Sequence, residues 1–117
     1  MPSFPWSRAM TANQLGDNPL TTWQLERIPI VWGKAYVTIL QRATTTGVRQ
    51  SIFAGTTNIL QRAVVQAGGT AGTTPAPLNT PVTDFLAYGD DVLQILNDEV
   101  SGGTPTVDGV ITVEPAA

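Results

Sequence analysis

The chain has 117 residues, no histidine and no cysteine, and its 6 basic and 9 acidic residues give a formal net charge of −3. These absences exclude Ser-His-Asp and Cys-His nucleophile systems, the usual zinc sites, haem and iron–sulfur ligation, and disulfides. The length fits a single domain, and we expect no membrane-spanning segment because no run of about 18 apolar residues occurs.

Residues 1–33 are predicted to form an extended N-terminal arm, because four prolines interrupt any regular run. All three tryptophans lie in this segment, and tryptophan is enriched at interface hot spots. We therefore predict a partner-binding set in the arm: Phe4, Trp6, Arg8, Trp23, Arg27 and Trp32. Two alternatives remain open, since the arm could fold back over its own domain or grip a neighbouring subunit. A short helix over 20–27 is also compatible with the sequence.

Residues 34–117 are predicted to form one β-domain, because short β-branched and aromatic runs alternate with turn residues. About six strands are expected, at 35–42, 48–54, 58–66, 82–88, 91–98 and 107–113. The run 91–98 is also compatible with a helix capped by Asp90 or Asp91, but its alternation favours a strand. This spacing predicts an all-β fold, an antiparallel sandwich or small barrel with an extended N-terminal arm.

A long loop over 67–81 separates the third and fourth of these strands. It holds three glycines, three prolines and no charge, so it is a poor phosphate cradle. Loops of this length are usually functional or mobile. The sequence leaves open whether this one contacts a neighbour or faces solvent.

A five-residue repeat, Ile39–Ala43 and Ile59–Ala63, carries one arginine in each copy. If the two strands run in the same direction, Arg42 and Arg62 occupy similar faces. We predict that this pair forms an acid-binding patch.

An acidic cluster offers the one candidate site for chemistry in the sequence. Carboxylates near the fifth strand could bind calcium or act as an acid–base pair, and the residues for a calcium site would be Asp91, Asp98 and Glu99. The spacing fits no EF-hand loop. Solvated turn residues are the favoured interpretation, so we expect no catalytic residues, no metal and no cofactor.

Charge is divided unevenly along the chain. Residues 1–62 carry all six bases and two acids, a balance of +4, whereas residues 63–117 carry seven acids and no base, a balance of −7. Strands from both halves could interleave and mix these signs. Alternatively, a positive side and a negative side would favour oriented association.

The proline- and tryptophan-containing arm at 1–33, the Thr- and Val-rich strands, the neutral loop at 67–81 and the lack of His and Cys together resemble the small all-β virion proteins of tailed bacteriophages. The resemblance is to decoration or cement proteins that bind a capsid exterior. It implies a short, oligomeric protein, such as a trimer, whose arm touches the shell.

The expected function is therefore a non-enzymatic virion structural protein that self-associates and docks on a shell through its arm. The expected partners are capsid shell subunits and copies of itself, and the expected location is the virion after synthesis in the host cytoplasm. We expect no membrane partner and no nucleic-acid partner, because five Arg and one Lys in an acidic chain form a thin basic footprint. The alternative is a carbohydrate- or ligand-binding β-module that uses exposed Trp and Tyr.

Overall fold

A computed structural model of the protein describes residues 3–21, 23–76 and 80–116. Within these ranges the chain forms seven strands and two single-turn 3₁₀ helices, at Gln24–Glu26 and Ile30–Trp32. The strands are β1 (Ser3–Ala9), β2 (Lys34–Ala43), β3 (Val48–Ala54), β4 (Thr57–Val64), β5 (Val82–Tyr88), β6 (Leu93–Glu99) and β7 (Thr106–Pro115).

The strands form two antiparallel sheets that pack as a sandwich. Sheet A has the order β1-β7-β2-β5, and sheet B has the order β4-β3-β6. The predicted all-β antiparallel sandwich is confirmed, and the run 91–98 lies mostly in β6, which begins at Leu93, rather than in a helix. Sheet A places β2 between two strands from the acidic half of the chain, so bases and acids from both halves are interleaved.

The core comes from the residues that alternate towards the facing sheet. On β2 the inward side chains include Ala35, Val37 and Ile39, all buried. Val37 and Ile39 lie opposite Val113 and Ile111 of β7, which are also buried. Such a cluster removes a large apolar area from water, at about 25 cal/mol per Å².

A layer of buried amides joins the two sheets. The Gln41 amide of β2 donates to Gln50 Oε1 of β3 at 2.7 Å and to Asn97 Oδ1 of β6 at 3.1 Å. Asn97 donates back to Gln41 Oε1 at 2.8 Å. Along β2, this layer separates the main core from a smaller cluster around Ala43 and Val48, and it pairs the amide groups that are buried there.

The N-terminal segment is part of the sandwich in this structure. Residues 3–9 form β1, a seventh strand that pairs with β7 at one edge of sheet A. Residues 14–17 then run along β6, where Asp17 and Asn97 exchange two backbone hydrogen bonds of 3.0 and 2.9 Å. The boundary predicted at residue 33 therefore does not separate an arm from the domain, and the fold-back alternative describes residues 3–21. The expected helix over 20–27 is reduced to the turn Gln24–Glu26.

Candidate interaction surface

The aromatic residues of the predicted partner-binding set pack on the chain's own core. Trp6 is buried, and its indole ring lies over Gly109 of β7, its register partner. Phe4 stacks on Trp23, with ring centroids 5.5 Å apart and planes 12° apart. Trp23 and Trp32 are half-buried against the same core. These aromatic rings thus make their packing contacts within one chain.

The arginines of that set are also engaged within the chain. Arg8 makes a bidentate contact with the Asp17 carboxylate, at 2.9 Å from Nε and 2.7 Å from Nη2. Arg27 Nη1 lies 3.0 Å from the Asp90 carboxylate in an exposed pair. The pKa of Arg8 is raised because its guanidinium donates a hydrogen bond to Asp17. This contact holds the segment after β1 to the strand.

The predicted pair Arg42 and Arg62 lies on two different sheets. Arg42 is on β2 of sheet A, opposite Asp108 of β7. Arg62 is on β4 of sheet B, in a left-handed conformation with φ of 50°, and Nη1 donates to Asp98 at 2.8 Å. The two copies of the repeat therefore lie on different sheets, and Arg62 already binds an acid of its own chain. A joint acid-binding patch of the two arginines stays a prediction.

The residues of the predicted calcium alternative are held apart by β6. Asp91 precedes the strand and accepts from Tyr88 N at 2.9 Å, whereas Asp98 lies near its far end. The seven residue-to-residue steps from one to the other span roughly 23 Å in an extended chain. Asp98 and Glu99 are neighbours and point to opposite faces. Among the residues that the structure describes, no group of three or more Asp or Glu side chains is placed to hold a metal.

Glu99 is a buried carboxylate that holds a turn together. Its oxygens accept from Asn13 N at 3.1 Å, Gly102 N at 2.7 Å, Ser101 N at 3.1 Å and the Ser101 hydroxyl. These hydrogen bonds, led by that from the Ser101 hydroxyl, lower its pKa from 4.5 to about 2. Such a carboxylate is a structural anchor, because its acceptor sites are filled by Ser101, Gly102 and the distant Asn13.

Residues 67–76 of the long loop fold over one end of sheet A. Gly69 N donates to Ala43 O at 3.0 Å, and Gly72 N donates to Asp108 Oδ1 at 3.1 Å. Arg42 and Asp108 line a groove of about 280 Å³ beneath it. The loop therefore covers its own sheet along this stretch. Residues 77–79 of the predicted loop lie outside the described residues.

Towards the other end of sheet A lies an exposed surface, which we call the tyrosine face: Tyr36, Leu86 and Tyr88, with Val82 further along β5, beyond Asp84. Tyr36 on β2 lies directly opposite Leu86 on β5, and the alternation of β5 puts Val82 and Tyr88 on the same side as Leu86. Tyr36 and Tyr88 are 54% and 58% exposed. The adjoining turn exposes Ile30 and Val31, with Ile30 against Gly89.

The tyrosine face includes a shallow groove of about 470 Å³ between β2, β5 and β7. Tyr36 and Leu86 supply apolar walls, while Asp84 and Glu114 supply carboxylates. Lys34 lies in the next row, opposite Tyr88. The surface thus combines rigid backbone, exposed aromatic area and a few charges, which is the composition of a recognition surface.

The composition of this surface was visible in the sequence, but its exposure was not. Tyr36, Tyr88 and Leu86 all fall in predicted strands, yet the run 35–42 has apolar residues on both faces. Which face turns outward depends on the second sheet.

Among the described residues, no helix has the length and apolar character needed to cross a bilayer. The sequence matches no protein-family model, and comparison with curated proteins finds no match.

Proposed function

We propose that the chain is a non-enzymatic structural protein of a virion, a decoration or cement protein that binds a protein shell through the tyrosine face. The exposed apolar area of Tyr36, Leu86 and Tyr88 on a rigid sheet carries this proposal. Contiguous exposed apolar surface is uncommon on monomeric proteins and marks interaction sites. The few residues that carry most of the binding free energy at such sites are enriched in Trp, Tyr and Arg.

The docking element differs from the one expected from the sequence. The arm residues Phe4 and Trp6 pack on their own sheet, so their burial stabilises the domain and leaves little area for a partner. The backbone of the tyrosine face is already ordered before binding, because β2 and β5 are paired over seven residues. A preorganised surface loses less conformational entropy when it docks.

The virion assignment is supported by the resemblance in architecture. A short, cysteine-free sandwich with Thr- and Val-rich strands is typical of decoration proteins of tailed phages. Several groups that could do chemistry are occupied in the fold: Asp98 binds Arg62 and Gly16 N, and Glu99 holds its turn. A role in association fits this arrangement better than one in catalysis.

Co-sedimentation with capsid shells tests the proposal. Shells from virions that carry the chain, stripped of it, are mixed with the wild type or with the double variant Tyr36→Ser/Tyr88→Ser. We expect the double variant to bind at least about tenfold more weakly, because two aromatic contacts are lost. Val64→Ser is the matched control, since Val64 is 65% exposed on β4 of the other sheet.

Salt separates this mechanism from one based on opposed charges. Apolar docking should survive about 0.5 M NaCl, whereas binding between exposed charges is screened there. Equal binding of the wild type and the double variant would overturn the proposal. A lack of any binding by the wild type would overturn it as well.

The groove favours one second candidate, a carbohydrate-binding module. Tyr36 could stack on a sugar ring while Asp84 and Glu114 accept hydrogen bonds from hydroxyls. The tryptophans do not support this reading, because Trp6 is buried and the other two are half-buried. A titration with an oligosaccharide panel, followed by NMR, would show shifts confined to the groove and lost in Tyr36→Ala. Absence of shifts across the panel would remove this candidate.

A further inference from the structure

The sheets of this sandwich differ in how their edge strands are protected against pairing with other chains. β1 carries Pro5, which lacks a backbone donor. The edge of β6 is covered by backbone hydrogen bonds, because Gln14 O accepts from Glu99 N and Asp17 exchanges two with Asn97. β4 is irregular, with two register shifts against β3 and a left-handed Arg62. Proline, coverage and bulges are the usual protections of sheet edges.

The edge strand β5 lacks each of these protections within the described residues. Its seven residues pair with β2 in one unbroken register, and its sequence contains no proline and a single charge, Asp84. No other segment in the described ranges forms a bridge to its outer edge. The backbone donors and acceptors on that edge are therefore available to an added strand.

We propose that two copies of this chain pair antiparallel along β5 about a two-fold axis, with Leu86 opposite Leu86 of the second copy. The two four-stranded A sheets then form one continuous sheet. This inference deepens the proposed function and rests on it for its purpose, because the pairing sets two tyrosine faces side by side as one larger docking surface. The pairing itself needs no shell.

The register follows from the side chains of sheet A. In an antiparallel pair, residues that lie opposite each other have their side chains on the same face of the sheet. The apolar side chains of the two copies therefore meet only if even-numbered residues of one β5 lie opposite even-numbered residues of the other. Centring on Leu86 produces a central apolar row, because Tyr36 lies directly beside Leu86 in each copy. It also places Tyr88 opposite Asp84 of the second copy.

Charge complementarity supports the same centre. Lys34 lies beside Tyr88 on β2, so the pairing brings this cation to within two strand spacings, roughly 10 Å between backbones, of the carboxylate of Asp84 in the second copy. Centring on Phe85 instead would set the carboxylate of Asp84 directly against Leu86. An apolar row flanked by a cation and an anion is self-complementary, as a two-fold interface requires.

Sedimentation velocity and light scattering on the purified full chain test this pairing. The wild type is expected at about 25 kDa, twice the 12.4 kDa chain. Leu86→Lys and Leu86→Asp should each raise the dimer dissociation constant at least about tenfold, because each sets like charges opposite one another. Mixing the two variants should restore a dimer of one copy of each. Val64→Lys, an equally drastic change on β4, should leave the wild-type dimer intact.

The outcomes separate the pairing from its purpose. A monomeric wild type, or a Leu86→Lys variant that remains dimeric, overturns the pairing about Leu86. Tighter association of Leu86→Lys alone would point to the Phe85-centred register, where the new lysine meets Asp84, and would likewise overturn it. If the wild-type dimer forms but does not bind shells, the pairing stands and the proposed function fails. If the wild type is monomeric and binds shells, the proposed function stands and the pairing fails.

Discussion

Substituting Gly109 by alanine tests whether β1 packs where the structure places it. Gly109 is buried in β7 opposite Trp6. An added Cβ would overlap the six-membered ring of the indole and would lie 2.6 Å from Trp6 Nε1. Real Cβ atoms do not approach other heavy atoms this closely, so either the indole or the strand must move.

The magnitude follows from two opposing effects. Overpacking a well-filled core costs about 1–3 kcal/mol. Replacing glycine by alanine also restricts the unfolded chain, which offsets about 0.4–1 kcal/mol. The free energy of unfolding should therefore fall by about 1–2 kcal/mol, which for a chain of this length lowers Tm by about 4–8 °C. Trp6 Nε1 has no hydrogen-bond partner in the described residues, so packing alone holds the ring.

Urea and thermal unfolding, followed by circular dichroism, measure this change. Gly103→Ala is the matched control, because its added Cβ meets only Ser101 Oγ at 3.4 Å, and it should change stability by less than about 0.5 kcal/mol. A smaller ring should relieve the overlap, so Trp6→Phe should cost less in the Gly109→Ala background than in the wild type, by about 1 kcal/mol. If Gly109→Ala melts with the wild type, the indole does not lie over Gly109, and the placement of β1 is refuted.

Three further substitutions test the polar contacts of the fold, each by urea unfolding. Stability above pH 4.5 includes the ionised Glu99 and should fall as the pH drops towards its folded pKa of about 2, and Glu99→Gln should abolish this part of the pH dependence. Gln41→Leu should lower the free energy of unfolding by about 1–3 kcal/mol, because Asn97 loses its buried partner. Gln94→Leu, at an exposed position of β6, should not lower it. Equal effects of the two changes would contradict the amide layer. Arg8→Met should cost about 1–2 kcal/mol, whereas Arg27→Met, in an exposed pair, should cost less than about 0.5; the opposite order would contradict the Asp17 contact.

The strands were predictable where both alternation and turn residues were present. The predicted ranges 48–54 and 82–88 coincide with β3 and β5, because turn residues bound both runs. For β6, the inward residues Leu93, Ile95 and Asn97 follow the two-residue period of a strand rather than the period of a helix. The sequence favoured this strand without excluding a helix, and two of its inward residues, Asn97 and Glu99, are polar.

β1 was missed because its signals are not local. Pro5 argues against a strand in general, but an edge strand tolerates proline where its nitrogen faces away from the neighbour. The partner, β7, lies about a hundred residues later in the chain, so nothing near Ser3–Ala9 marks the pairing. The same aromatic residues that predicted a gripping arm are what hold this strand to its own core.

The repeated pentapeptide shows why burial could not be read from local sequence. In β2, Ile39 and Gln41 are buried, and the glutamine belongs to the amide layer. In β4, Ile59 is half-buried and Gln61 is exposed. The same five residues therefore occupy a central strand in one copy and an irregular edge strand in the other, and only the topology distinguishes them.

The division of charge along the chain bears on how the protein associates. Arg27 pairs with Asp90 and Arg62 with Asp98, so bases of the first half meet acids of the second inside one molecule. The interleaved strands thus bring positive and negative side chains together, whereas opposed charged faces would require them to be separate. The tyrosine face, by contrast, has exposed apolar area beside the edge strand β5, to whose outer edge no other segment of the described residues forms a bridge. If this chain assembles with others, the driving force therefore comes from apolar burial and edge pairing, and charge serves chiefly to set the register.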